Sequence, residues 1–171
     1  MKALSIRQPW AWAILYAGKR IENRSRADGR MPSLCSYRGP LLIHASAKCT
    51  LKEHEAAALW MQVRGLARFR VRGYHDPQLV PPAGSLATGG IVGVCTVVNH
   101  IEPTGAVRRS DGTLGAPPSD ARNFLAWHIA GSYGLVLADV RPLPFVPFKG
   151  ALGLFEVPDH LVPQAMTGGA A

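Results

Sequence analysis

The run GIVGVCTVVNHI, from Gly90 to Ile101, is the strongest constraint on the fold. It is long and rich in β-branched residues, so it reads as a strand at the centre of a sheet. A central strand needs neighbours, and the chain offers several. Leu4 and Ile6 alternate with Ser5 and Arg7, and IENRS follows as a short strand. In PLLIHAS, Leu41, Ile43 and Ala45 form a core face and Leu42, His44 and Ser46 a partly polar one. GLVLADVRPLPF and ALGLFEVP have strand composition, separated by FVPFKG, with prolines at their ends where a ladder tolerates a missing donor.

Helices fill the gaps. Pro9 opens PWAWAILYA and Gly18 ends it, because glycine enters the left-handed region without strain. Thr50 and Glu53 have the spacing of a capping box for LKEHEAAALWMQV, and Ser119 is a candidate N-cap for DARNFLAWHIA. Many short strands with few helices predict an α+β fold, a curled sheet or β-barrel with flanking helices. No repeat or charge block divides the chain. One domain over residues 1–171 is expected, long enough to bury about 70% of its unfolded surface.

Charge and cysteines narrow the function. The chain has 19 Lys+Arg against 11 Asp+Glu, a formal net charge of +8, which favours polyanionic partners. Nucleic acid comes first, RNA or a nucleotide ahead of DNA, and on charge alone an anionic membrane surface comes second; no apolar run reaches spanning length, and no membrane partner is expected. Cys35, Cys49 and Cys95 are odd in number and widely spaced, so neither a disulfide framework nor a zinc knuckle is expected, and a reduced, cytoplasmic setting is the simplest reading. The six histidines lack metal-ligand spacing, and no phosphate-binding glycine loop is found, so neither metal nor cofactor is expected.

The stretch YAGKRIENRSR sets Glu22 among Lys19, Arg20, Arg24 and Arg26 without a helical apolar stripe. On a strand Glu22 and Arg24 share a face, and the preceding turn can bring Lys19 beside them. Such a carboxylate with cationic neighbours suits recognition of a base: Glu22 accepts from an amine or ring N–H, and Lys19 and Arg24 meet carbonyl or phosphate oxygens. The competing reading is an ion pair that only closes the barrel. His44 and Ser46 are candidates for the opposite wall, a satisfied, partly buried histidine being the equal alternative for His44. Gln8 and Trp10 are candidates for an amide edge and a stacking surface, although in an apolar helix core packing is the favoured reading of Trp10. Lys149 and Gly150 in FKGALG fit a loop at the cleft rim, and a plain barrel turn explains them as well. Arg68, Arg70 and Arg72, interleaved with Phe69 and Val71, and the pair Arg108–Arg109 are candidates for a basic nucleic-acid rim, with a solvated edge strand carrying protective charge the equal alternative.

The segments LSIRQPWAWAIL, GKRIENR, RGPLLIHASAK, GIVGVCTVV and YGLVLADVRPLPFVPFKGALGLFEVP, in this order, resemble the ASCH domain family of the PUA-like superfamily. The family pattern G-x-K-x-x-E-x-R falls on Lys19, Glu22 and Arg24, while its glycine would fall on Ala17 and this chain has Gly18. Loops near 26–37 and 104–119 look inserted. The resemblance implies a PUA-like barrel whose cleft binds RNA, a nucleotide or a modified nucleoside. One branch resembles amidohydrolases that deacylate modified cytidine with a Lys, a Thr three residues later and a more distant Glu. Here Glu22 stands where that Thr would be. Another branch is linked to ribonuclease activity. The enzyme alternative is therefore a small hydrolase with Lys19 as base and Glu22 as proton donor, water or Ser46 being the nucleophile.

Overall fold

The computed structural model describes residues 1–25, 27–67, 79–116 and 124–162. Its strands are β1 (Lys2–Ile6), β2 (Ile21–Arg24), β3 (Gly39–Ala45), β4 (Gly90–Ile101), β5 (Val107–Arg108), β6 (Tyr133–Pro147) and β7 (Leu154–Glu156). Two α-helices are present among these residues, α1 (Trp10–Tyr16) and α2 (Leu51–Val63). The strands form one sheet in the order β2-β6-β4-β3-β1-β7, with β5 attached to β4. Only β1 and β3 run parallel.

The sheet is strongly curled into a half-barrel. Register shifts at three places between β4 and β6, and one at Ile43/His44 between β3 and β4, supply the bending, because each extra residue kinks the strand and increases its twist. One hydrogen bond shows the result. Arg24 Nη2 on β2 donates to Ser5 O on β1 at 3.1 Å, although in a flat sheet four strand spacings, about 19 Å, would separate the two strands.

β4 is central, as its composition predicts. The C-terminal pattern differs from expectation: β6 runs without a break through Pro142, Pro144 and Pro147. β2 pairs only with residues 133–136 of it. Further along, the flank that faced β2 has no strand ladder, and prolines are tolerated there. The stretch EPTGAVRRSDGTLGAPPS, expected to be irregular, contributes β5. Of DARNFLAWHIA the described part is one 3₁₀ turn, Phe124–Trp127. Ser119 lies outside the described residues, as do Arg68, Arg70 and Arg72.

The face of β3 read as partly polar is buried as well. Leu41 and Ile43 face the core under α1 with Leu4, Ile6, Ile14 and Leu135, whereas Leu42 packs with Ala3, Ile91, Val94 and Val157 beneath Phe148 and Phe155. Residues 143–162 fold back over this second face and exclude water from it. A third cluster joins Trp127, Met61 of α2, Ile21 and Ile101.

The helix ends follow local chemistry. Gly18 has φ +72, and Lys19 N–H returns to Ala13 O at 3.0 Å, which closes α1 and turns the chain into β2. In α2 the capping box is present in both directions between Thr50 and Glu53. At its other end Gly65 (φ +66) precedes a Leu66 N–H to Met61 O bond of 2.9 Å, a Schellman closure. Thr50→Ala is expected to cost about 1 kcal/mol, which a thermal melt would register as a fall of about 2–4 °C for a chain of this size. No helix among the described residues is long and apolar enough to cross a membrane.

Candidate nucleotide-binding cleft

A cleft of ≈ 1080 Å³ opens where β1 and β3 end. β2 contributes Glu22 and Arg24, the β1 end Ser5 and Arg7, and the β3 end His44 and Ser46. Trp10 enters from α1, and the outer rim is Pro147–Leu152 with Gly89.

β2 alternates strictly. Asn23 turns away, donating from Nδ2 to Trp127 O at 2.8 Å and accepting at Oδ1 from Ile129 N–H at 3.0 Å, which fixes the strand. Glu22 and Arg24 therefore face the barrel interior. Glu22 Oε2 lies 2.7 Å from Lys19 Nζ and Oε1 lies 3.0 Å from Arg24 Nη2. Burial alone would raise the Glu22 pKa, but the two cations and their hydrogen bonds outweigh it and hold the carboxyl below its usual range. Lys19 is pushed down by burial, with Arg24 adding to this and Glu22 opposing it.

The structure separates two expected cleft residues from the rest. Lys19, with a side chain 2% exposed, stands behind Glu22 and does not line the cleft. Its ammonium donates to Ile21 O and to Glu22, and it sits 5.8 Å from the centre of the Trp10 ring. It has no free face from which to take a substrate proton. Gln8 is also buried. Its Oε1 accepts from Trp12 N–H at 3.1 Å and its Nε2 donates to Ala87 O at 2.9 Å, so the amide caps α1 and ties down a loop.

Trp10 does line the cleft, braced edge-on by Trp60 at 5.4 Å. His44 is 1% exposed, with Nε2 2.9 Å from Phe148 O and Nδ1 3.1 Å from Ser5 Oγ. A carbonyl only accepts, so Nε2 carries the hydrogen and Nδ1 faces the serine hydroxyl. His44 thus pins the rim to β3. Gly150 completes the joint: a Cβ there would lie 2.5 Å from His44 Cε1 and 2.6 Å from Ser5 Oγ. Arg108 and Arg109 do not line the cleft, and Arg108 is engaged within its own hairpin by Glu102 at 3.2 Å.

Arg7 and Leu152 were not singled out from the sequence. Arg7 was findable, since it shares the face of Ser5 on β1, opposite Leu4 and Ile6. It pairs with Glu53 at the cleft mouth. Leu152 is fully exposed on the rim, and nothing local marks a leucine for that position.

The ASCH domain profile matches residues 4–127, which contain Glu22, Arg24, His44 and Ser46 but not the rim from Pro147 to Leu152. No curated protein matches the chain. With this match over most of its length, the chain belongs to the ASCH domain family.

Proposed function

We propose that this chain is a binding domain that holds RNA, or a nucleotide or nucleoside, in the cleft. The observation that carries the reading is Glu22. A carboxylate is kept ionised inside a cleft by a buried ammonium behind it and a guanidinium beside it, and each oxygen keeps a lone pair for a ligand donor. Trp10 on the adjoining wall offers a ring surface to a base. Membership of a family associated in general with RNA supports the same reading, as does the net charge of +8.

Binding ranks ahead of hydrolysis on chemical grounds. Glu22 replaces the Thr of the amidohydrolase branch, and the Lys19 amine is engaged by Ile21 O and Glu22. The test is a fluorescence-anisotropy titration with single-stranded RNA at several salt concentrations. Saturable binding is expected, with a log–log slope of about −0.7 per phosphate neutralised, and Arg24→Ala should weaken it. No saturation by RNA, nucleotides or nucleosides at low salt would defeat the reading.

A further inference from the structure

We infer that the cleft takes its ligand through a phosphate ester, and that Lys149 and Ser46 form the phosphate subsite. This rests on the cleft being the ligand site, and it extends to a rim that lies outside the segment matched to the family.

The first argument is charge. Four cations in and around the cleft, Lys19, Arg24, Arg7 and Lys149, face two carboxylates, Glu22 and Glu53. Two positive charges remain, and a phosphate monoester at neutral pH carries nearly two negative ones. One of the two belongs to the cluster in which Lys19 and Arg24 share Glu22. The other is on Lys149, which among the described residues is the cleft cation without a carboxylate partner, so the rim carries one positive charge that no acid offsets.

The second argument is geometry. A cation on a loose loop would be an ordinary solvated lysine, but the backbone of Lys149 is held on both sides. Phe148 N–H donates to Gly89 O at 3.1 Å, His44 Nε2 bonds Phe148 O at 2.9 Å, and Gly150 packs too closely on His44 and Ser5 for any side chain. Ser46 is brought to the same edge, because Gly89 N–H donates to Ala45 O at 2.8 Å and so joins the β3 end to the rim. The Ser46 side chain is half-buried, and its hydroxyl has no protein partner among the described residues. The groups left unused at the rim, the Lys149 ammonium and the Ser46 hydroxyl, can both donate, and a phosphate supplies acceptors.

The line of contacts from Arg24 to Ser5 O, Ser5 Oγ to His44, and His44 to Phe148 O spans the cleft from Glu22 to this rim. A base edge at one end and a phosphate at the other is a nucleotide.

The experiment titrates the whole chain with the four ribonucleosides, their 5′-monophosphates, a dinucleoside monophosphate and inorganic phosphate, following tryptophan emission and calorimetric heat. The best-bound monophosphate is expected to bind about tenfold more tightly than its nucleoside. Lys149→Ala should abolish that ratio, and Lys149→Arg should keep most of it. A similar gain for the dinucleoside monophosphate assigns the subsite to the backbone of a strand, and a gain confined to monophosphates assigns it to a free nucleotide or a strand end; both support a phosphate subsite. Equal binding of nucleoside and monophosphate, or a ratio that survives Lys149→Ala, overturns the inference and leaves the cleft reading standing. Failure of every probe, nucleosides included, overturns both.

Discussion

Glu22→Gln is expected to lose about 3–5 kcal/mol of stability, because it strands the Lys19 ammonium in a site whose side chain is 2% exposed. Ile21 O and the Trp10 face remain as partners, and neither carries a compensating charge. For a chain of this size the melting temperature should fall by about 10 °C. Adding Lys19→Met should recover most of the loss, since a buried ion pair exchanged for neutral groups of similar volume is often close to neutral in stability. Ligand binding should not return with the fold, because the double variant still presents an amide where the parent presents a carboxylate. Thermal melts of the single and double variants, with RNA titrations of each, separate the two effects. A Glu22→Gln chain that melts with the parent would show that Lys19 is not held there as a charge. A double variant that binds like the parent would remove Glu22 from ligand recognition.

Gly150→Val should cost about 1–3 kcal/mol and a large part of ligand affinity. Its Cβ would fall 2.5 Å from His44 Cε1 and 2.6 Å from Ser5 Oγ, and both groups are fixed by their own hydrogen bonds. The rim must then move outward, breaking the bond from His44 to Phe148 O. Gly84→Ala is the control, because nothing lies within 4 Å of its added Cβ and its φ is not positive. That variant should be neutral or slightly stabilising. Equal melting temperatures and equal affinities for the two variants would mean that the rim is not pinned.

These two cases mark what the sequence makes legible. The grouping of Lys19, Glu22 and Arg24 follows from a strand period of two and one tight turn, both local, and so do the Thr50–Glu53 box and the strand at Gly90–Ile101. That Lys19 stands behind the carboxylate and not beside it in the cleft is a matter of depth, which spacing does not encode. Gln8 was open to misplacement for a similar reason. An amide at the entrance to a helix looks the same whether it faces a ligand or caps Trp12 N–H. The polar appearance of His44 and Ser46 suggested a half-open face, but the cover comes from residues 143–162, about a hundred positions away. Prolines at 142, 144 and 147 suggested a broken strand, and only the short reach of β2 along β6 explains why they are tolerated.

The pairing of β1 with β7, Lys2 opposite Glu156 and Leu4 opposite Leu154, has a consequence during synthesis. On the ribosome the first strand emerges early, yet one of its two edges has no mate until some 150 residues later, and long-range pairings of this kind form slowly. The cleft shares this schedule, since it draws on Ser5 near one end and Leu152 near the other. A nascent chain arrested before Pro147 would carry Glu22 and Arg24 but no rim to oppose them, so on this reading ligand capture begins only when translation of the domain is nearly complete.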